Sequence, residues 1–158
     1  MITKKELVDK ILEQLREDAS RLRDYANATR KEATHEEARP ENDKDTRGLE
    51  QSYLARGQAK RVVEVDEAIK RLKFMELKDF GDKDAIGVSA LVTIVDEDES
   101  ARTVFLVSHS VGGMSVEIDN QTIQCVASAS PLGRSLFDKH IGDELEVRGK
   151  SYEIENVQ

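Results

Sequence analysis

Val8, Leu12, Leu15, Ala19, Leu22, Ala26, Thr29 and Ala33 recur at alternating spacings of four and three residues. That rhythm holds one stripe against a partner over nearly four heptads, and it predicts a helix with a coiled-coil seam. Leu7 and Ile11 widen the stripe near the start, where broader apolar cover is implied. Toward residue 33 the seam thins to Ala and Thr, which predicts a slender two-helix ribbon at that end. Pro40 interrupts the pattern, and the residue before a proline disfavours helix. The stretch His35–Lys44 therefore reads as a turn. A second helix is predicted from about residue 45 to about 77, with Ala55, Ala59, Val62, Val65, Ile69 and Leu72 as its stripe and a less strict period. Gly48 and Gly57 each weaken it by roughly 1 kcal/mol relative to Ala. Two helices of similar length joined by a short turn lie antiparallel. At ~1.5 Å per residue, a stem of ~33 residues extends ~50 Å.

Past Asp79-Phe80-Gly81 the period changes to two. Residues 87–95 alternate as a strand, and the acidic run Asp96–Glu99 turns it. Thr103–Val107 reads as a second strand, with Gly112-Gly113 as a turn. Met114–Ile118 and Thr122–Val126, joined by Asp119-Asn120, form a predicted hairpin. Pro131–Phe137 reads as a short helix with Ser130 as N-cap and Pro131 at the first position. Glu144–Arg148 and Ser151–Val157 close the chain as a second hairpin around Gly149-Lys150. The expected organisation is thus residues 1–79 as a helical hairpin with its tip at about 36–45, and residues 80–158 as a small α+β domain.

Charged residues make up 35% of the chain and aromatics 4%. That composition suits long solvated helices burying a narrow stripe, and disfavours one thick core. No apolar run approaches the ~18 residues of a membrane span. The opening MITKKELVDK lacks the apolar stretch of a signal peptide. Cys125, the single cysteine, has no internal partner for a disulfide and reads as a small buried hydrophobe, so a reduced, cytoplasmic setting is expected. The net charge of -8 is unevenly placed: residues 80–158 carry 6 basic and 14 acidic side chains, while residues 1–79 balance at 18 each. Free nucleic acid is a poor partner for the acidic half, because no basic surface is available to displace phosphate counterions. Within the first half, residues 32–45 hold Arg39 and Lys44 against six acids, a patch of -4 between two mildly basic stems.

The segment Ser130-Pro131-Leu132-Gly133-Arg134-Ser135-Leu136-Phe137, followed by Ile141-Gly142-Asp143-Glu144-Leu145-Glu146-Val147, resembles the C-terminal signature of the GreA/GreB transcription elongation factors. There a Ser-Pro-aliphatic-small-Arg-x-Leu helix precedes a Gly-Asp turn and a valine-rich strand. Ile86-Gly87-Val88-Ser89-Ala90-Leu91-Val92 is similar to the opening strand of that family's FKBP-like domain. With the hairpin ahead of it, the resemblance covers nearly the whole chain. It implies a long antiparallel helical hairpin (a coiled coil) followed by a small FKBP-like α+β domain. It implies bacterial RNA polymerase as partner, held at the β′ rim of its secondary channel, with nucleic acid touched only indirectly. Ser130, Pro131 and Arg134 are then candidate partner-binding residues. Tip carboxylates would help the polymerase cleave backtracked RNA, so the chain stimulates a reaction and is not itself an enzyme. No intrinsic cofactor is implied. Asp43 and Asp45 would share a Mg2+ ion with the polymerase active centre, and carboxylate oxygens suit that ion.

The family tip reads Asp-Leu-Lys-Glu-Asn followed by Ala-Glu-Tyr, whereas this chain has Pro40-Glu41-Asn42-Asp43-Lys44-Asp45-Thr46-Arg47. Glu41, Asp43 and Asp45 are the candidate catalytic acids in this altered spacing. Asp43 and Asp45 also suit the N-cap and first turn of the second helix, and Glu36 and Glu37 suit a solvated helix end. A Gre-like factor that occupies the channel without promoting cleavage is the alternative reading. A prolyl isomerase or chaperone is a third, and it requires an aromatic-lined apolar pocket. His35, His109 and His140 lack the spacing of a zinc site. Ser110-Val111-Gly112-Gly113 reads as a hairpin turn rather than a phosphate loop.

Overall fold

The computed structural model describes the backbone of residues 2–37 and 47–158, and the side chains of all of these except 32–37, 47, 48 and 51. Two long helices come first, α1 (Lys4–Glu37) and α2 (Arg47–Lys73). They are followed by β1 (Leu91–Asp96), β2 (Arg102–Ser108), β3 (Ser115–Ile118), β4 (Gln121–Ala127), α3 (Pro131–Leu136), β5 (Glu144–Val147) and β6 (Lys150–Val157). By packing, Leu12–Lys70 is one compact unit, and residues up to Ile11 together with Arg71–Gln158 are the other.

In the helical unit the seam of α1 follows the heptad pattern: Ala19 and Thr29 are buried, and Leu15, Leu22 and Ala26 are half-buried. Residues 35–37 are still helical, so the first stem runs further than the sequence suggests, and the remainder of the predicted turn lies outside the described residues. The stripe of α2 needs one correction. Ala59 is exposed and Gln58 takes its place, so the seam reads Ala55, Gln58, Val62, Val65, Ile69 and Leu72. These steps alternate strictly between three and four, and helical phase outweighs the preference for an apolar side chain. The consequence is a polar atom in the seam. Gln58 Oε1 is buried and has no hydrogen-bond partner among the described residues. An Arg23–Asp66 ion pair ties the two stems together.

The start of α1 is fixed by reciprocal caps that the sequence reading passed over. Thr3 Oγ1 accepts from Glu6 N–H at 3.2 Å, and Thr3 N–H donates to the Glu6 carboxylate at 2.9 Å. The signal was present as Thr3-x-x-Glu6. Leu7 and Ile11 are fully buried, each contributing about 1.5–3 kcal/mol. They belong to the globular unit, where Lys10 Nζ donates to the Glu117 carbonyl of β3 at 2.7 Å.

The six strands form one sheet in the order β3-β4-β2-β1-β6-β5. All neighbours are antiparallel except β2 and β4, which run parallel with Phe105 opposite Gln124. Segment 109–114 is therefore a crossover to the sheet edge and not the hairpin turn expected at Gly112-Gly113. The two predicted hairpins are present. Asp119 and Asn120 both take positive φ, as do Arg148 and Gly149, which is the backbone that two-residue hairpin loops demand. The second turn thus sits one residue earlier than Gly149-Lys150. The first strand begins at Leu91 rather than residue 87. Residues 88–89 form a turn instead, in which buried Ser89 has φ 71 and accepts the Lys78 N–H at 2.9 Å.

One face of the sheet carries the main core, with Val92, Ile94, Phe105, Val107, Val126, Leu145 and Ile154 packed against Leu136 of α3. Strand alternation sends Val104, Leu106, Ile123 and Cys125 to the opposite face, where they too are buried.

Candidate functional site

The candidate acids Glu41, Asp43 and Asp45, including the proposed magnesium ligands Asp43 and Asp45, lie outside the described residues. Among the described residues no group of three or more His, Cys, Asp or Glu side chains could hold a metal ion. His140 N–H and Nδ1 lie 2.7 and 3.8 Å from the Asp143 carboxylate, a local turn contact. Burial pushes the Cys125 thiol up to about 12, which makes it a poor nucleophile.

The described part of the site is built around α3. Ser130 is extended at the N-cap, its Oγ accepting from Gly133 N–H at 3.0 Å and donating to the Ala127 carbonyl at 2.8 Å. Pro131 occupies the first helical position, where its missing N–H costs nothing. Gly133 has a packing reason: a Cβ there would stand 2.0 Å from the Ala127 carbonyl oxygen. Leu136 is fully buried in the core. Of the three expected partner-binding residues, Ser130 caps the helix and is half-buried. Pro131 and Arg134 are exposed, and Arg134 forms no ion pair with the described residues.

A helix of six residues covers only ~9 Å, whereas six strands at ~4.8 Å spacing span ~24 Å. Part of the core face therefore stays open beside α3. It forms a pocket of about 350 Å³ with Phe105, Leu132 and Tyr152 as floor and Arg148 and Lys150 among its lining. No carboxylate among the described residues lines it. Sequence reasoning did not mark Arg148 and Lys150, although Lys150 alternates with Tyr152 and Ile154 toward the core face. Phe74, Phe80 and Phe137 line a different cleft. Leu132 of α3 lines this pocket together with Arg148 and Lys150, while Pro131 and Arg134 are exposed on the same helix.

The family description "Transcription elongation factor, GreA/GreB, C-term" matches residues 81–158. A transcription elongation factor GreA of Beijerinckia indica is 31% identical over 101 residues, which cover 61% of this chain and 60% of that protein. GreA of Acholeplasma laidlawii is 26% identical over 156 residues, covering 97% of this chain and 92% of the relative. Among solved structures, the GreA factor homolog 1 (Gfh1) protein of Thermus thermophilus is similar at 20% identity, covering 93% of this chain and 94% of that one with a TM-score of 0.37. The chain spans about three fifths of the Beijerinckia relative and nearly all of the Acholeplasma one.

Proposed function

The chain belongs to the GreA/GreB family of transcription elongation factors, and from that premise we propose that it binds bacterial RNA polymerase at the β′ rim of the secondary channel and stimulates cleavage of backtracked RNA. The observation that carries this reading is the order of parts: a pair of long helices, then the sheet domain that the family description matches over 81–158. In this reading α3 presents Pro131 and Arg134 to the rim, with Arg148 and Lys150 beside the adjoining pocket. The hairpin carries Glu41, Asp43 and Asp45 toward the active centre. Carboxylate oxygens are hard donors, and the donor chemistry of these acids fits magnesium. A second magnesium ion there would stabilise charge in the in-line displacement. The acids hold and orient; bond cleavage belongs to the polymerase, so the chain is a stimulating factor rather than an enzyme. A cytoplasmic location follows from that partner. No helix among the described residues is long and apolar enough to cross a membrane.

The tip spacing favours a second reading. Asp43 and Asp45 have no acid three residues on, where the family tip has its pair. A factor that occupies the channel without promoting cleavage is consistent with that difference. One experiment separates the two: cleavage in a purified backtracked complex at graded magnesium, with the wild type and a variant changed to Ala at Glu41, Asp43 and Asp45. Faster 3′ cleavage that the variant loses supports the working acids. Competition with an authentic Gre factor without cleavage supports the channel-occupying reading. Failure to compete overturns polymerase binding altogether.

A further inference from the structure

Charge in the sheet domain is sorted by strand alternation. Residues 80–158 carry 6 basic and 14 acidic side chains, yet two of those cations, Arg148 and Lys150, stand together in the lining of the pocket beside α3. Leu145 is buried in the core, so its neighbours Glu144 and Glu146 project from the opposite face of the sheet. Glu153 stands opposite Glu144 in the pairing of β5 with β6 and shares that opposite face. Arg148 and Lys150 are exposed, and neither forms an ion pair with the described residues. Arg148 takes φ 52 in its turn, where the backbone alone favours Asn or Gly. An acidic domain thus keeps two uncompensated cations at one pocket.

The rest of the lining narrows the occupant. Phe105, Tyr152 and Leu132 give the pocket an apolar floor, which suits a ring better than a bare ion. Thr103 and Gln124 add a hydroxyl and a carboxamide, groups that both donate and accept hydrogen bonds. Gln124 stands directly opposite Phe105 in the pairing of β2 with β4. The volume is about 350 Å³. Small-molecule pockets run from ~300 to ~1,000 Å³, so this one admits a single compact ligand and not a helix or a nucleic-acid strand. The larger cleft lined by Phe74, which is 80% exposed, sets Arg71 and Lys78 against Glu76 and Asp138, and its charges select no occupant.

We infer that the pocket beside α3 binds a small molecule that joins a planar heterocycle to phosphate groups, the chemistry of a nucleoside diphosphate. The ring lies on the floor of Phe105, Leu132 and Tyr152, and Thr103 and Gln124 hydrogen-bond its polar edge. Arg148 and Lys150 hold the phosphates, the arginine through its fork of N–H donors and the lysine as a point charge. A lone carboxylate side chain would satisfy the cations but leave most of the apolar floor uncovered. An uncharged apolar ligand would cover the floor and leave both cations idle. The assignment stands on this pocket alone and does not depend on the polymerase reading.

The test is calorimetric titration of the full-length protein with ADP, GDP, CDP and UDP in turn, alongside thermal melting, with inorganic pyrophosphate as the ring-free control. At least one nucleoside diphosphate is expected to bind, and to bind more tightly than pyrophosphate. The double variant Arg148→Glu with Lys150→Glu is expected to weaken that binding by about tenfold or more, with melting unchanged because both side chains are exposed. The deficit should shrink as salt rises. Gln124→Ala, on a different strand, is expected to weaken binding by roughly two- to tenfold, as loss of one hydrogen bond does. Backbone amide signals of Thr103, Gln124 and Val147 should shift when the nucleotide is added. Absence of binding by all four nucleotides at ~1 mM, the weak end of specific affinity, overturns the inference. Pyrophosphate binding as tightly as the nucleotides overturns the ring-binding floor. Binding that both variants leave intact places the ligand elsewhere and overturns the pocket.

Discussion

Replacing Gly133 by Ala adds one methyl group, and the structure says where it goes. The new Cβ would stand 2.0 Å from the Ala127 carbonyl oxygen and 2.9 Å from both Ala127 C and Ser128 Cα. Ordinary contact begins at 3.4 Å, so α3 must back away by roughly 1.4 Å. Ala127 is in no position to yield instead. It is in register with Ser108 in the parallel pair, and its carbonyl accepts from Ser130 N–H at 3.0 Å and from Ser130 Oγ at 2.8 Å. Gly112 closes its other side, where a Cβ would already meet Ala127 N at 3.0 Å. Retreat of α3 draws Leu136 off the core and opens the Ser130 cap. Overpacking costs about 1–3 kcal/mol and loss of the cap about 1 kcal/mol, offset by about 1 kcal/mol from the better helix propensity of Ala. A net loss of about 1–3 kcal/mol is expected, or roughly 4–24 °C in Tm for a domain of this size. Urea unfolding followed by far-UV circular dichroism measures it. Gly57→Ala is the matched control, since a Cβ there meets nothing within 4 Å, and it should stabilise by about 1 kcal/mol. A Gly133→Ala midpoint at or above that of wild type would refute the packing argument.

Thr3→Ala removes one half of the reciprocal cap on α1 and should cost about 0.5–2 kcal/mol in the same urea experiment; an unchanged midpoint would show that the cap contributes nothing. Hydrogen bonds from Thr3 hold the Glu6 carboxyl below its ordinary value, those from Ser100 and Ala101 do the same for Asp96, and those from Arg102 for Glu155. Depressed carboxyls stabilise the fold above their unfolded values, 4.5 for Glu and 3.8 for Asp, and that stability is lost as pH falls through the folded values. Melting temperature should therefore drop on acidification below that range, and a Glu6→Gln variant should show a shallower drop; a profile flat through the acid range contradicts the assignment. Cys125, buried with its thiol pushed up to about 12, should resist iodoacetamide in the folded protein at mildly alkaline pH and react once urea unfolds it. Rapid alkylation of the native protein would be evidence against that burial. Ser130→Ala should lower stability by about 1 kcal/mol while the folded protein still binds polymerase, whereas Arg134→Glu should weaken binding without moving Tm; the reverse pattern would assign the docking role to the wrong residue.

Much of this architecture was readable because its determinants are local. The heptad steps from Val8 to Thr29 mark the seam, and Ser130-Pro131 marks the start of α3. Asp119-Asn120 supplies the left-handed pair of a tight turn. What escaped depends on distant parts of the chain. Residues 87–90 have the alternation of a strand, but Ser89 turns to receive the Lys78 amide, and no local preference announces that contact. Gly112-Gly113 looks like a hairpin turn until β4 takes the place beside β2. Gln58 was passed over because Ala59 is the more apolar neighbour, although strict three-and-four spacing required position 58. The candidate acids are legible only as residue types, since Glu41, Asp43 and Asp45 lie outside the described residues.

The family signature itself divides once the contacts are known. Ser130 caps α3, Gly133 admits the Ala127 carbonyl, and Leu136 plugs the core. Those three identities are demanded by any chain that lays a six-residue helix this closely on its sheet, whatever that chain binds. They therefore carry information about fold. Information about a partner has to come from side chains that folding leaves idle, and on this helix those are Pro131 and Arg134. The same reasoning applies to Arg148 and Lys150 at the open pocket and to the exposed ring of Phe74, which are outside the quoted signature helix. A search for function in this chain is better directed at these exposed cations and rings than at the residues that made the family recognisable.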